Sequence, residues 1–233
     1  MGDTKIEWAE KSWNPITGCS PVSAGCENCY AARMIGRSLP KMGHRGPFSS
    51  VQFHPDRLDQ PLRWKRPRRV FVCSMGDLYH PEVKEDWRNQ VLKMTSLAPQ
   101  HTYMVLTKRP ERMASHHNRK WDRPNNLWLG TTVESQETIE RIYVLRRIYA
   151  ALLFVSFEPL LEDIKQIDFR NIDWVIAGCE SGPRRRPANI EWFRSLRDQC
   201  VAAGVPYFFK QMEVNGKVVK MPKLDGRVWD QRP

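Results

Sequence analysis

LWLGTTVESQETIERIYVLRRIYAALLFVSF, residues 127–157, holds two short apolar runs on either side of a stretch with helical spacing. LWLGTT (127–132) and LLFVSF (152–157) are the length of single strands and rich in β-branched and aromatic side chains. That is the pattern of strands covered on both faces. Between them, Glu134 to Tyr149 carries Ile139, Ile142, Val144 and Leu145 at helical intervals. Strand, helix and strand at this interval predict a right-handed crossover between parallel strands.

The unit repeats outward. RVFVCS (69–74), TYMVLT (102–107), DWVIAG (173–178) and PYFFKQ (206–211) have the same character, with a first strand expected near Ile16. Helices are expected over Pro81 to Leu97, on Val83, Trp87, Val91, Leu92 and Met94, and over Ile190 to Ala203, ended by Gly204. The Asn-Gly pair in VNGKVV (214–219) predicts a hairpin at the C-terminus. No linker or low-complexity segment interrupts the series, so residues 1–233 read as one α/β domain. The expected architecture is a parallel-stranded partial TIM-type (β/α) barrel of about six or seven strands.

A net charge of +11 favours a polyanionic partner, and basic residues cluster in RWKRPRRV (63–70) and GPRRRP (182–187). Proline interrupts both clusters, which reads as loops presenting charge. No apolar run is long enough to cross a bilayer and the charged N-terminus is unlike a signal peptide, so a cytoplasmic protein is expected. The chain has neither a Walker sequence nor GxGxxG, which argues against nucleoside triphosphate hydrolysis and a dinucleotide cofactor.

In parallel α/β folds reactive groups gather at the carboxyl ends of the strands. Those ends carry Ser74, Gly76, Asp77 and His80; Thr107, Lys108 and Arg109; Thr131, Thr132 and Glu134; Ser156 and Glu158; Gly178, Glu180, Ser181 and Gly182; Lys210 and Gln211. Buried charges are costly unless paired, so the ring implies a network of ion pairs or a polar, charged ligand. The ligand is the favoured reading.

GCSPVSAGCENCYA (18–31) places Cys19, Cys26 and Cys29 in the loop after the first expected strand. In a reducing compartment such clusters bind metal more often than they form disulfides. A structural zinc would need a fourth ligand, for which His44 and His54 are the candidates. A 4Fe-4S cluster held by three cysteines would leave one iron open for a small ligand. The third reading is a barrel enzyme using its carboxylates for acid-base work, with the cysteines incidental. Cys73, Cys179 and Cys200 are isolated and read as core.

WNPITGCSPVSAGCENCYAARM, VFVCSMGDLYHPEV, VLTKRPERM, LWLGTTVES, FVSFEPLL, DWVIAGCESGPRRRP, PYFFKQM and LDGRVWDQRP together resemble the phage Gp37/Gp68 family, also called the DUF5131 or three-Cys-motif family. That family is similar to radical SAM enzymes. The resemblance implies a 4Fe-4S cluster on Cys19, Cys26 and Cys29, with S-adenosylmethionine bound through the open iron. Reductive cleavage would give a 5'-deoxyadenosyl radical acting on a nucleic acid or nucleotide. An external electron donor and a three-Cys-motif partner protein are implied as well.

Two features depart from the usual CxxxCxxC pattern: the wider gap between Cys19 and Cys26, and Asn28 where an aromatic residue usually precedes the last cysteine. The resemblance implies that the turn Ser74 to Asp77, with Gly76, binds the methionyl amine and Lys108 its carboxylate. It assigns Glu134, Ser156 and Glu158 to the surroundings of that carboxylate and the ribose hydroxyls, and Gly178 and Glu180 to the neighbourhood of adenine. Lys210, Tyr79 and His80 remain as catalytic candidates facing the substrate.

Overall fold

A computed structural model describes residues 4–34, 37, 40–117 and 124–233. Its strands are Lys11–Trp13 (β1), Ile16–Thr17 (β2), Gln52–Phe53 (β3), Arg69–Val72 (β4), Thr102–Thr107 (β5), Leu127–Thr132 (β6), Leu152–Phe157 (β7), Trp174–Gly178 (β8), Tyr207–Val214 (β9), Lys217–Lys220 (β10), Lys223–Leu224 (β11) and Arg227–Val228 (β12). The α-helices are Glu85–Leu97 (α1), Pro110–His117 (α2), Glu140–Leu145 (α3) and Ile190–Ala203 (α4).

One eight-stranded sheet runs in the order β1-β4-β5-β6-β7-β8-β9-β10, parallel up to β9 and closed by the antiparallel β10. It curls into a half-barrel whose edges, β1 and β10, do not pair. The expected hairpin is the β9–β10 turn, with Asn215 and Gly216 both at positive φ. Because β10 joins the main sheet, there is one strand more than the six or seven expected. A second hairpin, β11–β12, turns on Asp225 and Gly226, also at positive φ.

The first sheet strand lies at Lys11–Trp13, ahead of the expected place near Ile16. Pro15 has no N–H to donate and breaks the ladder there, and Ile16–Thr17 leaves the sheet to pair antiparallel with β3. Helix α1 begins four residues later than expected, because Lys84 has an extended backbone. The segment expected to be helical over 134–149 contains a 3-10 turn, Gln136–Thr138, ahead of the short α3. There Ser135 and Thr138 close a capping box that keeps the first turn tight. Helix α4 keeps its expected bounds: Asn189 Oδ1 accepts from the Glu191 N–H at 3.0 Å and Gly204 ends it at φ 69°.

The sheet buries both faces with different residues. Its outer face, including Val70, Val105, Leu129, Val155 and Phe209, packs on Val91, Met113, Ile142, Leu145 and Phe193 of the helices. The inner face begins with Phe71, Met104, Phe154, Trp174 and Phe208, which meet Trp8 at the bottom of the half-barrel. Side chains alternate along a strand, so the inner row continues from Met104 to Lys108, from Phe154 to Ser156 and Glu158, and from Phe208 to Lys210. The barrel is therefore aromatic at one end and polar at the carboxyl ends of its strands.

Candidate functional site

A cavity of about 660 Å³ opens at those carboxyl ends. Cys19, Cys26 and Cys29 line it together with Ser74, Gly76, Asp77, Lys108, Glu158 and Lys210. All three thiols are free and half-buried. Burial, and secondarily the charge of Asp77, push the Cys19 thiol up to about 11, against the opposing effect of Arg109. Cys19 Sγ lies 3.5 Å from Arg109 Nη1 and 3.5 Å from the Ser20 carbonyl. Among the described residues no three His, Cys, Asp or Glu side chains stand close enough together to hold a metal ion. All three cysteines line the cavity, and Cys19 is engaged with Arg109 and Ser20.

The cysteine loop leaves β2 through two close backbone contacts. Gly18 has φ 92°, and a Cβ there would lie 2.3 Å from the Ser50 carbonyl oxygen. Gly76 is bridged to Gly18, and its Cβ would come within 3.0 Å of the Gly18 oxygen. Only glycine permits this approach of the loop to the Ser74–Asp77 turn. Buried Asn14 fixes the same turn, its Oδ1 accepting from the Met75 N–H at 2.8 Å and from Ser74 Oγ at 3.2 Å. Tyr30, directly after Cys29, donates its hydroxyl to the Ser74 carbonyl at 2.6 Å and lines the cavity.

Three carboxylates at the strand ends each pair with an arginine. Asp77 meets Arg109 at 2.8 Å, Glu134 meets Arg141 at 2.8 Å and Glu180 meets Arg186 at 2.6 Å. Asp77 also accepts from Thr107 Oγ1 at 2.8 and 2.9 Å and from the Tyr79 N–H at 2.8 Å. Those donors occupy most of the capacity that a ligand amine would need. Glu134 is fully buried and Glu180 nearly so, and neither lines the cavity. Arg186 holds the Glu180 carboxyl below its ordinary range, although burial opposes it.

The remaining candidates divide sharply. Lys210 Nζ donates to Glu158 Oε1 at 2.7 Å, and Ser156 Oγ donates to Glu158 Oε2 at 3.2 Å. Gly178 makes room for that pair, since a Cβ would lie 2.7 Å from Glu158 Oε1. Lys108 lines the cavity with no carboxylate partner among the described residues. Tyr79 is fully buried in the layer between sheet and helices, its hydroxyl 2.6 Å from His117 Nε2. His80 takes the Glu82 N–H on Nδ1 and therefore donates from Nε2 to Ser20 Oγ at 2.7 Å. Burial and then Arg109 hold its pKa down. Neither Tyr79 nor His80 lines the cavity, which leaves Lys210 as the catalytic candidate that does.

His44 and His54 stand apart from the thiols, around the Thr17 hydroxyl at 2.8 and 2.7 Å, and neither lines the cavity. Several residues around the cavity carried no role in the sequence reading: Arg109 against Cys19, Asn14 under the turn, and Tyr30. Arg109 had the one usable signal, its place at a strand end. Asn14 and Tyr30 act through contacts 44 to 61 residues away in sequence, which spacing does not report.

Fold and site define the class: a parallel α/β half-barrel with three free thiols at the mouth of its carboxyl-end cavity. The chain belongs to the DUF5131 family, described as a protein of unknown function, which it matches over residues 3–233. No curated protein and no solved structure matches it. No helix among the described residues is long and apolar enough to cross a membrane.

Proposed function

We propose that the chain is a radical SAM enzyme acting on a nucleic acid or nucleotide. The observation that carries this reading is that Cys19, Cys26 and Cys29 all line one strand-end cavity, which Lys108 also lines without a carboxylate partner among the described residues. Three thiols are the donors a 4Fe-4S cluster with an open iron takes. Bound there, such a cluster would supply reductive cleavage of S-adenosylmethionine. Within the cavity, Lys108 binds a carboxylate, Glu158 faces hydroxyl groups, and Lys210 meets the substrate while paired to Glu158; Ser156, fully buried and outside the cavity lining, acts only by holding Glu158. Asp77, with its oxygens engaged, acts chiefly by holding Arg109 beside the thiols. Tyr30 offers a half-exposed ring for a flat ligand.

The zinc-stabilised binding protein needs a fourth ligand, and the two histidines that would supply it are engaged with Thr17. We place the enzyme in the cytoplasm, that of the host cell if it is phage-encoded, supplied with electrons by an external donor and working beside a three-Cys-motif partner protein. Anaerobic reconstitution with iron and sulfide should give a brown protein whose reduced form cleaves S-adenosylmethionine. Cys26→Ala and Cys29→Ala should each abolish the colour and the cleavage. Stoichiometric zinc with no cluster, or a cluster indifferent to S-adenosylmethionine, would sink the proposal.

A further inference from the structure

The three ion pairs at the strand ends share a feature that folding alone does not require: each grips the cysteine loop beside a different cysteine. Arg109, held by Asp77, donates to the Ser20 carbonyl at 2.8 Å and to Ser20 Oγ at 3.2 Å, next to Cys19. Glu134, held by Arg141, accepts from Ser23 Oγ and packs against Gly25, just before Cys26. A Cβ on Gly25 would lie 2.9 Å from the Glu134 carboxyl carbon. Glu180, held by Arg186, accepts from Asn28 Nδ2 at 2.9 Å, just before Cys29. Arg186 also reaches the Ala24 carbonyl at 2.9 Å and Glu27 at 3.2 Å.

Buried ion pairs add little net stability, because desolvation offsets their attraction, and their better-attested use is to specify geometry. The pair of Glu158 and Lys210, which lines the cavity, makes no hydrogen bond to the loop among the described residues and serves as the contrast. We propose that Asp77–Arg109, Glu134–Arg141 and Glu180–Arg186 are three positioning clamps that fix the backbone of the cysteine loop so that its thiols can close on one metal centre. The inference rests on the reading of these cysteines as metal ligands. It assigns Glu134 and Glu180 to the loop from behind and takes them off the ligand.

Ser23 and Asn28 allow a test that leaves the ion pairs intact. In the reduced, metal-free full chain, cadmium(II) titration read by thiolate-to-metal charge-transfer absorption reports capture by the cysteines. Partners that orient metal ligands typically contribute about 10–100-fold to affinity, so Ser23→Ala and Asn28→Ala should each weaken cadmium binding by about tenfold. Glu134→Gln should do the same, and where it fails to fold, E134Q/R141M, which removes both charges, takes its place. Thermal midpoints of Ser23→Ala and Asn28→Ala should stay near wild type, which a purely structural role would not allow alongside the affinity loss. Wild-type affinity in both variants would overturn the clamps, and so would weakening matched by an equal loss of thermal stability. A wild-type chain that captures no cadmium would instead overturn the metal reading beneath them.

Discussion

At Thr17 a single hydroxyl serves two imidazoles, and the tautomers follow from it. The Pro47 carbonyl, 3.1 Å from His44 Nε2, can only accept, so His44 carries its proton on Nε2 and takes the Thr17 hydrogen on Nδ1. His54 must then donate from Nε2 to the Thr17 oxygen. Burial, with Arg57 beside it, holds the His54 pKa down to about 4, Asp56 opposing and His44 adding to the depression. A folded pKa below the unfolded value near 6.5 means that the unfolded chain binds more protons between those values. This stability is complete above about pH 6.5 and is lost as the pH falls toward 4, up to about 3 kcal/mol. His54→Gln keeps a donor for Thr17 and cannot titrate, so thermal melts from about pH 7 to about pH 5 should lose much of their acid slope. An unchanged slope would refute the assignment. The sequence named both histidines as candidate zinc ligands because it shows side-chain chemistry without partners. Glu134 and Glu180 were legible as strand-end carboxylates in the same way, while their arginines and the loop they hold became visible only through the fold.

Strands and helices were legible where one face dictates the pattern. The runs at β4 to β9 and the bounds of α4 follow from apolar runs, a cap and a terminal glycine, all local. Elements set by their surroundings were not: β1 has three residues and lies before an Asn-Pro pair, and the eight-residue α2, PERMASHH, buries little besides Pro110, Met113 and His117. The inner row of the sheet supplies the sharpest element-scale prediction. Gly130 faces the Phe154 ring, and a Cβ there would lie 2.5 Å from it. That ring is fully buried between Trp8 and Trp174, with centroids 6.5 and 6.0 Å away, so it has nowhere to move. Gly130→Ala should therefore destabilise the fold by about 1–3 kcal/mol in urea unfolding, as overpacked cores do. F154L in the same chain should recover part of the loss by shortening the obstacle. A neutral Gly130→Ala would mean that the aromatic floor is looser than its geometry.

Across the molecule, the charge of +11 is less available than composition suggests. In the cluster ahead of β4, Arg63 pairs with Asp59 and Arg68 with Glu10; in the cluster after β8, Arg185 pairs with Glu213 and Arg186 with Glu180. Lys65, Arg66 and Arg184 are exposed and have no carboxylate partner among the described residues. The parallel sheet puts these at opposite ends, because residues 63–69 enter a strand at its amino end and residues 182–187 leave one at its carboxyl end, beside the cavity. Arg184 lies at the same end of the sheet as the thiols, so a nucleic acid that reaches them can pair with it without touching Lys65 or Arg66. Each phosphate neutralised adds close to one unit to the slope of log affinity against log salt. For a short fluorescent oligonucleotide, Arg184→Ala should therefore reduce that slope by roughly one, and K65A/R66A should leave it unchanged. The reverse result would seat the polyanion at the aromatic end of the barrel, too far along the strands for the cysteines to act on it. Binding indifferent to salt would remove nucleic acid from the proposal altogether, and the cavity would then have to be matched to a small anionic substrate within reach of Lys108.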